Sequence, residues 1–170
     1  MGLDMMLYRQ HYIADRPWSD ADSAPGTGAI EALGLVPGIS LAIPPESLGQ
    51  TGGATLTIEI QVAYWRKANA IHGWFVNQLA NGVDECQPIY VSRDHIVALR
   101  NACQMVLAAK GTPEEDDEIE EYLPPTGGFF FGSTEADEWY WDQARRTHDL
   151  LSWLLKHDTP DAEYEYRASW

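Results

Sequence analysis

Residues 64 to 75, YWRKANAIHGWF, hold the densest set of side chains with chemistry to offer. Two cations, Arg66 and Lys67, stand there beside indole, amide and imidazole, in a chain with eleven Lys and Arg against twenty-six Asp and Glu. Read as a helix, the segment aligns Trp65, Asn69 and His72 at i, i+4 and i+7, with Ala68, Ile71, Phe75 and Leu79 on the neighbouring apolar face. Trp141, Arg145 and His148 repeat that spacing later in the chain. Two such stripes facing one another could stack a planar ring between their indoles. Arg66 and Arg145 would then meet phosphate or carboxylate, and Asn69 and His72 would read the ring edges. The competing reading is two amphipathic helices whose Trp residues pack and whose His residues lie at the rim, since aromatics at helical spacing are mostly core. The expected ligand-binding set is therefore Trp65, Arg66, Asn69, His72, Trp141, Arg145 and His148. Spacing alone leaves both readings open.

Other segments carry weaker signals. GGFFFGST, from Gly127 to Thr134, lacks the Gly-Lys-Ser/Thr ending of a phosphate-binding loop, and Glu135, Asp137 and Glu138 follow it, which would repel an anion. It reads as a structural turn leading into a helix cap. The five histidines show no H-x-x-x-H spacing and no paired cysteines accompany them, so neither a metal nor another cofactor is expected. Asp84-Glu85-Cys86 and Asp94-His95 could at most lend ligands from adjacent loops. A Cys86 nucleophile with a His base has no located partner, and no catalytic residue is assigned. Cys103, in the stripe Ile96, Leu99, Cys103, Val106, reads as a small core residue.

These residues need elements to position them. Leu3, Met5 and Leu7 alternate with polar neighbours, predicting a strand over 3–12. Five prolines and seven glycines then crowd residues 13 to 53, predicting a long loop. Leu56, Ile58, Ile60 and Val62 predict the buried face of a strand over 55–62, leading into a helix over 65–80 that Asn81-Gly82 should end. Pro88 to Val91 suggests a short strand. Ser92 should cap a helix to about Lys110. Seven acids around Ile119, from Glu114 to Glu121, predict a solvated loop, because like charges repel one another open. Phe129 to Phe131 reads as a buried run or short strand. Ser133 or Thr134 should then cap a third helix, over 134–157, with Ala136, Tyr140, Ala144, Thr147, Leu151 and Leu154 inward. EYEYRASW, from Glu163, alternates as a last strand. The fold class expected is α+β: a small antiparallel sheet of N-terminal, middle and C-terminal strands packed against about three helices, in one domain over 1–170.

A formal charge of −15 argues against direct nucleic-acid binding, which needs clustered Lys and Arg. It suits solubility or a basic partner. No apolar run approaches the ~20 residues needed to span a bilayer and no signal peptide is seen, so a soluble cytoplasmic protein is expected.

The opening MGLDMMLY, the central YWRKANAIHGWFV, IYVSRD, the GFFFGSTEADEWY block and the closing EYEYRASW together resemble a family of small, uncharacterised bacteriophage proteins. Residues 13 to 53 depart from that pattern by their length. The resemblance implies a phage product acting in the host cytoplasm and supplies no activity. Taken with the aromatic stripes, it leads to a binding protein rather than an enzyme. The expected function is to counter a host process such as antiviral defence by sequestering a small, planar, phosphorylated ligand such as a signalling nucleotide. The first alternative is an acidic inhibitor that blocks a basic nucleic-acid-binding surface of a host protein. The second is a small nucleotide hydrolase using His72. Whether the chain forms a homo-oligomer is left open.

Overall fold

Alternation is the organising pattern of the sheet. In the computed structural model, which describes residues 2–14 and 55–170, four strands run in the order β2-β1-β4-β3 and form an antiparallel sheet. These are β1 (Asp4–Ala14), β2 (Thr55–Arg66), β3 (Ile89–Val91) and β4 (Glu163–Ser169). Four helices are found among the described residues: α1 (Asn69–Leu79), α2 (Arg93–Ala109), α3 (Glu115–Tyr122) and α4 (Glu138–His157). The class is α+β. Residues 1–9 and 60–170 form one compact unit, to which residues 10–14 and 55–59 do not belong; the proline- and glycine-rich stretch over 15–54 lies outside the described residues.

Leu3, Met5 and Leu7 point inward from the N-terminal strand, as their spacing requires, and Tyr164, Tyr166 and Ala168 do so from β4. The short strand at Ile89–Val91 pairs antiparallel with β4, with Ile89 opposite Tyr166 and Val91 opposite Tyr164. Phe75 of α1 stacks on Tyr166 with ring centroids 4.0 Å apart, and Trp65 of β2 donates its indole N–H to Thr147 of α4 at 2.8 Å. Both helices thus meet inward-pointing sheet residues and cover one face. Helices α2 and α4 pack together through stripes that include Leu99, Cys103 and Val106 on one and Ala144, Leu151 and Leu154 on the other. Cys103 is buried and unbridged, as is the exposed Cys86, and burial pushes the Cys103 thiol up to about 12.

Several expectations are corrected. The helix expected from residue 65 begins at Asn69, because β2 continues through Arg66. Aromatic residues suit strands, and Ala63 and Trp65 alternate inward there. Lys67 then turns the chain with φ 54°, its N–H bonded to the Leu3 carbonyl at 2.8 Å. The buried face expected at Ile58 and Ile60 is also corrected; the side chain of Leu56 lies outside the described residues. Ile60 is 52% exposed and Ile58 is exposed as well, while Val62 packs against the core from its edge and Ala63 and Trp65 are the residues of β2 that are buried in it.

The acidic loop expected over 114–121 is helix α3. Its first turn holds Glu115, Asp116, Asp117 and Glu118, where carboxylates favour the positive helix end, and Ile119 anchors it in the core. The Gly111 N–H also donates to the Glu115 carboxylate. Residues 129–131 form a turn instead of a buried run: Phe129 is 95% exposed, while Phe131 enters the core. The cap of α4 is Asp137, which accepts the Tyr140 N–H at 3.0 Å, so neither Ser133 nor Thr134 starts that helix. Ser92 does cap α2, in a reciprocal capping box with His95.

Candidate functional site

The two triplets do not form facing stripes. Trp65 stands on a strand, and Asn69 and His72 stand on the helix that follows it. Trp65 and Trp141 are both in the core, so neither indole offers a face to a ligand. Trp141 lies beneath the Lys110 ammonium, 4.9 Å from its ring centroid, and edge-on to Tyr140. His72 is 1% exposed and engaged at both nitrogens, with Tyr166 Oη 2.7 Å from Nδ1 and Asp84 Oδ2 2.9 Å from Nε2. The Tyr166 hydroxyl pKa is raised, chiefly by burial. Trp170 reaches the other Asp84 oxygen at 3.4 Å. The result is a polar lock that joins α1, the 84 loop and β4.

Asn69 is also structural. Its Nδ2 donates to the carbonyls of Ser133 at 2.6 Å and Phe131 at 3.3 Å, and its Oδ1 accepts the Thr126 N–H at 3.3 Å. One buried amide therefore buckles the 126–133 loop onto the start of α1. Gly73 permits the approach: a Cβ there would lie 1.9 Å from Thr126 Oγ1. The charged members are on the surface. Arg66 is 3.7 Å from Asp4, whose carboxylate also accepts the Tyr64 hydroxyl. Arg145 is exposed on α4, and His148 Nδ1 is 3.0 Å from Asp149.

Of the seven expected residues, Asn69 lines a crevice that the loop creates. The crevice runs between the start of α1 and the first two turns of α4, and Lys67, Glu135, Asp137, Trp139 and Gln143 complete its functional walls. It is partly open, with about 350 Å³ of empty space when its mouth is included.

Three features give the crevice binding capacity. First, Ala68 provides no capping side chain for α1. The first intrahelical bond is from the His72 N–H to the Ala68 carbonyl, so the amides of Asn69, Ala70 and Ile71 lie ahead of it, at the positive end of the dipole. Second, the Lys67 ammonium pairs with no carboxylate among the described residues. Third, Gln143 is 7% exposed and has no hydrogen-bond partner among the described residues. Trp139, half exposed, also lines the crevice. Among the described residues no cluster of three His, Cys, Asp or Glu could hold a metal ion, and no helix is long and apolar enough to cross a membrane.

Most of these residues escaped the sequence reading. Gln143 was legible in part: it interrupts the inward stripe of α4 between Tyr140 and Ala144, where a polar residue needs a reason. Lys67 was noted as charge without a location. Trp139 carries no periodic signal. Comparison with protein-family models, with characterised proteins and with solved structures gives no match.

Proposed function

We propose that this chain is a phage-encoded binding protein that acts in the host cytoplasm against a host process, by sequestering a small, planar, phosphorylated ligand. The phage setting rests on the sequence blocks MGLDMMLY, YWRKANAIHGWF and GFFFGSTE. The ligand reading rests chiefly on the crevice at the start of α1, where Lys67, the first residues of that helix and the Gln143 side chain line one space. The aromatic role first assigned to Trp65 and Trp141 passes to Trp139, and the anion-holding role of Arg66 and Arg145 passes to Lys67 and the α1 amides. Calorimetric titration with nucleotides tests this. Saturable binding that Gln143→Leu weakens at least tenfold supports the reading; no binding by any nucleotide removes it.

Helix α3 favours a second reading, the acidic inhibitor of a basic host surface. Six of its eight residues are carboxylates held on an ordered helix, a fixed array of negative charge. A hydrolase using His72 gains nothing from the geometry, because both ring nitrogens already have partners inside the core.

A further inference from the structure

Helix α4 keeps one stripe in the core, through Tyr140, Ala144, Thr147, Leu151 and Leu154, and carries a second stripe in solvent. On that second stripe Trp139, Arg146 and Trp153 stand seven residues apart, close to one meridian of the helix, since seven residues fall only about 20° short of two turns. The two indoles are 50% and 58% exposed. Trp153 stacks on His157 with ring centroids 4.5 Å apart, which fixes the indole before any partner arrives. Asp142 and Asp149 lie between the indoles and Arg146, and Arg146 Nε is 2.8 Å from Asp142. The order Trp, Asp, Arg, Asp, Trp reads the same from either end. We infer that this stripe is a contact surface for a second copy of the chain, with the two α4 helices antiparallel about a two-fold axis at Arg146.

A two-fold contact needs a surface that complements itself. Trp139 and Trp153 are equally far from Arg146 along the helix, so in this arrangement Trp139 of each copy lies level with Trp153 of the other. The charges match as well. The Arg146 guanidinium leans toward the start of its own helix to reach Asp142, about 6 Å back along the axis at about 1.5 Å per residue. Asp149 of the second copy lies about 4.5 Å back on the same side, so the guanidinium stands between two carboxylates. The two-fold makes that pairing twice. A chain of formal charge −15 repels its copies in most orientations, whereas this one lends each copy a cation. Trp and Arg are also the residue types that most often anchor interfaces. The seam from Trp139 to Trp153 is about 21 Å long, which gives a small contact and a reversible dimer. Trp139 also lines the crevice, so Trp153 of the second copy comes to the edge of that site.

Sedimentation equilibrium of the full chain over a concentration series tests the contact. Wild type should approach twice the monomer mass as concentration rises. Trp153→Ala should weaken association at least tenfold, the cost of one lost anchor. Charge reversal is the sharper test. Arg146→Asp and Asp149→Arg should each stay monomeric at concentrations where wild type is dimeric, because each would oppose like charges twice. Mixed in equal amounts, the two variants should associate, because every reversed charge then meets its opposite. Circular dichroism spectra matching wild type confirm that each variant is folded. A wild-type monomer at every concentration, a dimer indifferent to these changes, or a mixture that associates no better than its components overturns the inference. None of these readouts involves a nucleotide, so the ligand reading stands or falls separately.

Discussion

Gln143 lines the crevice and bonds to no other described residue, so Gln143→Leu is expected to change stability by less than about 1 kcal/mol, measured by urea unfolding, while it weakens ligand binding. A loss above about 2 kcal/mol would mean that the amide holds the fold together. Gly73 acts through packing. Alanine in a helix interior is normally favoured over glycine by ~1 kcal/mol, yet a Cβ here would strike Thr126. Gly73→Ala should destabilise by about 1–3 kcal/mol, and Thr126→Ala in the same chain should restore part of the loss. The sequence showed Asn69 and His72 to be unusual without showing why. Their partners lie 62, 64 and 94 positions away in Phe131, Ser133 and Tyr166, beyond the reach of any local pattern.

At the scale of elements, alternation and capping were the readable signals. Leu3-Met5-Leu7, Tyr164-Tyr166-Ala168 and the Ser92 cap all appear as the sequence implies. The misread elements share one cause: tertiary context outweighed local propensity. Nothing local says that YWR belongs to the strand, because the deciding contact is Trp65 with Thr147 of α4. In helix α3 the buried Ile119 and the helix dipole outweigh the charge repulsion that a run of acids implies. Its polarity is testable. Asp116→Asn and Asp117→Asn, in the first turn, should each lower stability by a few tenths of a kcal/mol. Glu120→Gln and Glu121→Gln, near its C-terminal end, should raise it by a similar amount. Thermal unfolding at low salt reads both; equal signs for the two pairs would mean that the dipole does not order α3.

For the whole molecule, composition indicated an acidic α+β protein and little about how its distant parts are tied. One tie joins β1 to the end of α4: the Arg9 guanidinium lies 3.1 Å from Asp158, which also accepts from the Thr159 N–H and the Tyr164 hydroxyl. Burial pushes the Asp158 carboxyl up, but its hydrogen bonds with Arg9, Thr159 and Tyr164 leave it below its ordinary 3.8. A carboxyl with a lowered folded value stabilises above its unfolded pKa, and that contribution fades as pH falls through the folded value. Wild type should accordingly exceed Asp158→Asn in stability near neutral pH, and the gap in urea midpoints should shrink as pH falls below the ordinary 3.8.

The crevice is assembled from residues that are scattered in sequence. The most direct test is amide chemical-shift mapping with adenosine monophosphate. Saturable shifts centred on the N–H groups of Asn69, Ala70 and Ile71 and the side-chain amide of Gln143 are expected. Saturable shifts centred elsewhere, or none at millimolar ligand, would contradict the account.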